Sequence, residues 1–228
     1  MTKAILFDLG DTLFRLNPMP EVTDDFTAFL ESEGVVDADT EPLRIVETLR
    51  EYWARQGRDL LEERPVAEIA RPFIGSDEQA TRFAAKLDAL LAEADVARWE
   101  PPQRAGLFDA LRSRGLRVGF VSNTLTAPEV MKRRLREFEL LGHAEVAVFS
   151  VEHRVRKPNP EIYRVALRSL SVDPADVIFV GDRVREDVRG PQSLGMRAVL
   201  THEFRQEDPA DAAPLAVVEK LDDLVRLL

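Results

Sequence analysis

The chain has 228 residues, 45% hydrophobic and 32% charged. At roughly 100 to 200 residues per domain, that fits one elaborated domain or a core with a smaller insert. A net charge of -10 and a pI near 5.0 create a field that repels phosphate backbones and anionic lipid, so neither nucleic acid nor a membrane surface is an expected partner. Without Cys there is no disulfide, thiolate metal site or cysteine nucleophile, and His143, His153 and His202 are too scattered for an imidazole metal centre. Carboxylates, hydroxyls, Lys and Arg are left to carry the chemistry.

In chain order, the first apolar run is Ala4 to Phe7, closed at once by Asp8. It is too short for the hydrophobic region of a signal peptide, and no later stretch approaches the roughly 20 apolar residues of a membrane span. The expectation is a soluble, cytoplasmic protein. From about Pro20 to Ala97 only helical periodicity appears, over Val22 to Glu33, Glu41 to Gln56, Val66 to Phe73 and Asp77 to Ala94. A helical insertion directly after the first strand reads as a small cap domain over 17–97. Trp99, Glu100, Pro101 and Pro102 mark the return to the core. The plainer alternative packs these helices on the sheet.

Strand-length apolar runs follow at Val118 to Val121, Val146 to Phe149, Val177 to Val180 and Ala198 to Leu200. Helical patterns over Ala127 to Leu141 and Pro160 to Leu170 lie between them. Five short strands alternating with helices predict a Rossmann-like α/β core, a parallel sheet covered on both faces, formed by 1–16 and 98–228 and carrying a small all-helical cap.

Ligands bind such sheets at the carboxyl ends of the strands. The residues found there are Asp8, then Ser122 and Asn123, then Lys157 in the loop after the third strand, then Gly181 and Asp182. This set suits phosphoryl transfer, which needs a nucleophile, a divalent cation and donors around the phosphoryl oxygens. Asp8 and Asp182 also match the one or two carboxylates that Mg²⁺ ordinarily takes. A solvated surface role for Lys157, a cap role for Ser122 or Asn123, and a salt-bridged loop around Asp187 are the plainer alternatives.

Taken together, Ile5-Leu6-Phe7-Asp8-Leu9-Gly10-Asp11-Thr12-Leu13, Val121-Ser122-Asn123, Lys157-Pro158 and Gly181-Asp182 with Asp187 five residues on resemble the haloacid dehalogenase superfamily, in the branch with a helical cap after the first strand. The resemblance spans essentially the whole chain. It implies a Mg²⁺-dependent hydrolase, a phosphatase of a phosphorylated small molecule, working through an aspartyl-phosphate on Asp8. It further implies that Asp8, the Gly10 carbonyl and Asp182 ligate the metal with Asp187 in support, and that Ser122, Asn123 and Lys157 hold the phosphoryl group. A monomer or homodimer is expected.

One position departs from the pattern. Phosphatases of this family carry a second Asp two residues after the nucleophile, acting as general acid and then base, and here that residue is Gly10 followed by Asp11. The departure leaves open a substrate with a good leaving group, a substitute acid such as Asp11 or a cap residue, a dehalogenase, or a weak enzyme kept for binding. Asp182 and Asp187 weigh against a metal-free dehalogenase. A dinucleotide site lacks its spaced glycines, and a receiver-type phosphoacceptor has its acidic groups in another order.

Overall fold

A computed structural model of the chain describes residues 1–16, 42–56, 61–98 and 104–228. The helix expected at Val22 to Glu33 and the junction at Trp99 to Pro102 lie outside these residues, as does the side chain of Trp53.

Six parallel strands form one sheet: β1 (Ala4–Phe7), β2 (Arg117–Ser122), β3 (Val146–Phe149), β4 (Val177–Gly181), β5 (Arg197–Thr201) and β6 (Ala216–Val218), in the order β3-β2-β1-β4-β5-β6. This is one strand more than the sequence pattern predicts. β6 is a three-residue edge strand registered Val199↔Ala216 to Thr201↔Val218 on β5, too short to announce itself as a run. β1 lies between β2 and β4, with Phe7 opposite both Phe120 and Val180. The chain reverses its direction of winding at the β1–β4 step, and a crevice opens at such a point beyond the strand ends.

All four residues of β1 are fully buried, and their alternation serves two cores. Ile5 and Phe7 pack with Leu107, Phe108 and Leu111 of α4 (Ala105–Ser113) and with Met131 and Leu135 of α5 (Pro128–Glu137). Ala4 and Leu6 face Ile162, Tyr163, Ala166 and Leu170 of α7 (Pro160–Leu170). Between these helices, β3 runs directly into the short α6 (Ser150–His153).

α5 stops at Glu137 instead of continuing to Leu141. Glu139 adopts a left-handed φ of 56°, and the Leu140 N–H returns to the Leu135 carbonyl at 2.7 Å. This is a helix stop of the Schellman type built without glycine. Before β2, α1 (Pro42–Gln56), α2 (Val66–Ala70) and α3 (Asp77–Arg98) share a separate apolar cluster including Ile45, Leu49, Ile69, Phe83 and Leu87. The stretch expected to be one helix over Val66 to Phe73 is α2 followed by a 3-10 turn, Arg71–Phe73. Tyr52 and Phe73 are half-buried against this cluster.

These helices meet the sheet's loops at particular groups. Leu125, from the loop after β2, joins their apolar cluster. The Ala127 N–H at the start of α5 donates to the buried Asp88 carboxylate of α3 at 3.1 Å. Glu62 pairs with Val155 in an isolated antiparallel bridge beside the Lys157 loop.

Candidate active site

Asp8, Ser122 and Asp182 sit where their strands end, and Lys157 and Asp187 come from the segments that follow β3 and β4. Asp8 leaves β1 with its N–H bonded to the Val180 carbonyl at 2.9 Å, Ser122 closes β2, and Gly181 closes β4 just before Asp182. Lys157 precedes α7, whose Asn159 cap accepts the Glu161 N–H at 3.0 Å with Pro160 in the first turn. The Lys157–Pro158 peptide bond is cis.

The Lys157 ammonium, 2% exposed, lies 2.5 Å from Asp8 Oδ1 and 2.7 Å from Asp187 Oδ1, over the face of Phe179. Burial, the largest influence on this group, pulls its pKa down, and attraction to Asp187 and Asp8 reverses the sign, leaving it above the ordinary lysine range and charged. A solvated surface role for Lys157 is thereby removed. Asn123 clasps the backbone beneath it. The Asn123 Oδ1 accepts the Lys157 N–H at 2.7 Å, and its Nδ2 donates to the Lys157 carbonyl at 3.1 Å.

Asp187 reaches the cluster because Val184–Arg189 is wound as a π-helix and because Gly181 has no side chain. A Cβ at Gly181 would lie 2.3 Å from the Asp187 Cγ. The second Asp187 oxygen accepts the Arg183 N–H at 3.0 Å. Thr12, fully buried and not singled out from sequence, places its hydroxyl 3.3 Å from both Asp8 Oδ2 and Asp182 Oδ1. Arg183 and Arg205 approach Asp182 Oδ2 to 4.0 and 3.7 Å without bonding it.

Carboxylate oxygens of Asp8, Asp182 and Asp187 lie within 4.8 Å of one another, all three residues buried. Burial, followed by repulsion from Asp8 and Asp187, pushes Asp182 up to about 8. Burial likewise pushes Asp187 up to about 7 against the pull of Lys157. Asp182 Oδ2 is buried without a hydrogen-bond partner among the described residues. An orphaned carboxylate oxygen amid crowded negative charge, in a set made of hard oxygen donors, fits a small divalent cation such as Mg²⁺.

A second buried network lies behind the Lys157 loop, and sequence reasoning missed it. Glu63 pairs with Arg156 at 3.1 Å and sits 2.7 Å from the hydroxyl of Ser150, which accepts the Thr124 N–H at 2.8 Å. The Tyr52 hydroxyl stands 3.4 Å from Glu63 and accepts the Arg64 N–H at 2.9 Å. Nothing local in the sequence marks a pair 93 residues apart. The three His take structural positions: His143 stacks on Phe108 at 4.7 Å, His153 lies beside Glu152, and His202 contacts the Glu207 carbonyl. Arg15 faces the Phe204 ring.

Asp11 has a left-handed φ of 55°, and its Oδ1 accepts the Leu16 N–H at 2.9 Å. Its carboxylate is engaged in ordering the loop, and it stands outside the three-carboxylate cluster. No helix among the described residues is long and apolar enough to cross a membrane.

The arrangement has counterparts. At 30% identity over 91% of this chain and 87% of its own length, the glyceraldehyde 3-phosphate phosphatase of Methanopyrus kandleri is similar to it. The phosphoserine phosphatase of Thermus thermophilus is 29% identical over 94% and 95%. The crystal structure of a 2-haloacid dehalogenase from Pseudomonas syringae superposes with a TM-score of 0.72 at 19% identity, covering 100% and 98% of the two chains, which shows a common fold. The sequence profile of the haloacid dehalogenase-like hydrolases matches residues 2–195, spanning β1, the helices between β1 and β2, and every strand end that contributes to the carboxylate cluster. By that match and by its relatives, this chain belongs to the haloacid dehalogenase-like hydrolases, and it is a hydrolase.

Proposed function

We propose that the chain is a Mg²⁺-dependent phosphatase of a small phosphorylated molecule, with Asp8 as the nucleophile. The observation that carries this reading is the placement of Asp8 against Lys157 inside a buried three-carboxylate cluster with one orphaned oxygen. The relatives are named for phosphate monoesters, glyceraldehyde 3-phosphate and phosphoserine.

In this reading Lys157 orients the Asp8 carboxylate and balances charge as a phosphoryl group arrives, while the buried Ser122 hydroxyl donates to a phosphoryl oxygen. Asn123 was expected to touch substrate. Its clasp on the Lys157 backbone supports a positioning role instead. Asp8 and Asp182, with the Gly10 carbonyl, would hold the metal, and Asp187 would support it from between Lys157 and the Arg183 N–H. Mg²⁺ bound there would supply positive charge toward the phosphoryl oxygens and the attacking carboxylate. Asp8 would attack phosphorus, forming an aspartyl-phosphate that water then cleaves.

We assign 17–97 as a cap domain. Its described helices have their own apolar cluster and touch the core at the loops that follow Ser122 and precede Lys157. A cap so placed would exclude water and select substrate. A dehalogenase reading rests on Gly10 alone and leaves the carboxylate cluster without a use.

The test is hydrolysis of sugar phosphates, acyl phosphates and an aryl phosphate with and without Mg²⁺, beside a haloacid assay. Mg²⁺-dependent phosphate release lost in Asp8→Asn supports the reading. Chelator-resistant turnover of a haloacid overturns it.

A further inference from the structure

Gly10 occupies the backbone position two residues beyond Asp8. Its φ is not in the left-handed region, whereas that of its neighbour Asp11 is, so the backbone asks for glycine at 11 and not at 10. A side chain at 10 would have to displace that of Leu16. A Cβ built on Gly10 would lie 2.4 Å from Leu16 Cδ1 and 2.5 Å from its Cγ.

The loop holds Leu16 there by two bonds, Asp11 N–H to the Phe14 carbonyl at 2.7 Å and Leu16 N–H to the Asp11 carboxylate at 2.9 Å. Leu16 is 45% exposed, so core packing does not explain its position. An isobutyl group therefore fills the space that a residue-10 side chain would enter. The neighbouring acid in the chain, Asp11, is held on the Leu16 amide. Among the described residues, the other carboxylates at Asp8 belong to the metal-fitting cluster.

We infer that Gly10, with Leu16 filling its side-chain space, restricts this site to phosphates whose leaving group departs as a stable anion, with acyl phosphates the best-matched class. The inference rests on Asp8 being the phosphorylated nucleophile and deepens that reading.

The chemistry balances without an acid. An Asp8 oxygen forms the new P–O bond while the bond from phosphorus to the acyl oxygen breaks. Its electron pair leaves on that oxygen as a carboxylate, and no proton moves. Water then adds to the phosphorus of the aspartyl-phosphate, the Asp8 carboxylate departs with the electron pair of its P–O bond, and both water protons remain on the phosphate released. An alkyl phosphate would instead have to expel an alkoxide. General acid–base assistance is typically worth about 10²- to 10⁴-fold, and that is the handicap alkyl esters carry here.

The experiment measures kcat/KM of the wild type in Mg²⁺ for acetyl phosphate, a series of aryl phosphates of graded leaving-group acidity, and glycerol phosphate. The expected result is a steady fall with decreasing acidity, ending at least about 10²-fold below the aryl esters for the alkyl ester. In Gly10→Asp/Leu16→Ala, which installs the carboxyl and clears its space, the alkyl ester should gain selectively, about tenfold or more. A wild type that cleaves alkyl and aryl esters equally well overturns the inference while leaving Asp8 as nucleophile. An undiminished gap in a double variant with the wild-type circular dichroism spectrum overturns the assignment to Gly10 and Leu16. No Mg²⁺-dependent hydrolysis of any of these esters overturns the Asp8 reading, and the inference with it. The wild-type series is decisive even if the variant does not fold.

Discussion

The Glu63 carboxylate, fully buried, lies 3.1 Å from the Arg156 guanidinium, and through that pair the segment before α2 grips the residue preceding Lys157. Burial pushes the Glu63 pKa up, while Arg156 and the Ser150 hydroxyl pull the other way. Removing one partner leaves a buried charge uncompensated. Glu63→Ala should therefore cost about 3–5 kcal/mol of stability, and replacing both residues with apolar ones of similar volume should cost far less. Chemical denaturation of the single and double variants checks this. An Ala variant within about 0.5 kcal/mol of wild type would show that the pair holds nothing together.

Gly181 tests the metal-fitting cluster from its backbone side. Gly181→Ala drives a methyl into the Asp187 carboxyl group, where both atoms are buried and neither is the free end of a long side chain. Overpacking of this kind costs about 1–3 kcal/mol. Because the displaced carboxylate is the one bonded to Lys157, Mg²⁺ affinity should fall along with stability. Calorimetric Mg²⁺ titration and thermal unfolding read the two effects, and a variant with unchanged Mg²⁺ affinity would remove Asp187 from the metal's support.

The raised carboxylates set a pH dependence with a definite sign. Unfolded Asp titrates at about 4, whereas burial raises Asp182 to about 8 and Asp187 to about 7 in the metal-free fold. Between those limits the folded state holds more protons than the unfolded one, so these groups make metal-free stability fall as pH rises from about 4 to about 8. Mg²⁺ needs the deprotonated forms, so its affinity should rise over the upper part of the same window. Urea denaturation in chelator and Mg²⁺ titrations across this range test both slopes. A pH-independent Mg²⁺ affinity would contradict the raised pKa values.

The sheet was legible because the longer strands are apolar runs, three of them closed by candidate site residues: Phe7 by Asp8, Val121 by Ser122, Val180 by Gly181 and Asp182. β6 was not, since three residues at an edge carry no pattern. The stop at Glu139 was hidden because a non-glycine residue takes the left-handed turn. Asp8, Lys157, Asp182 and Asp187 come together as their spacing suggested. Thr12 was in view without a role, and the bonds of Asn123 to the Lys157 backbone carried no local signal. Glu63 with Arg156, and Leu16 over Gly10, are contacts made only by the folded chain, and no local periodicity encodes them.

The proposed mechanism requires that Asp8 become phosphorylated. The most direct measurement is acid quenching of the enzyme during its first turnover of acetyl phosphate with Mg²⁺, followed by peptide mapping by mass spectrometry. The expected result is one added phosphoryl group on the peptide containing Asp8, absent in Asp8→Asn and in chelator, with turnover lost in both. A phosphoryl group on another residue, or an Asp8→Asn variant that still turns over at the wild-type rate, would contradict it.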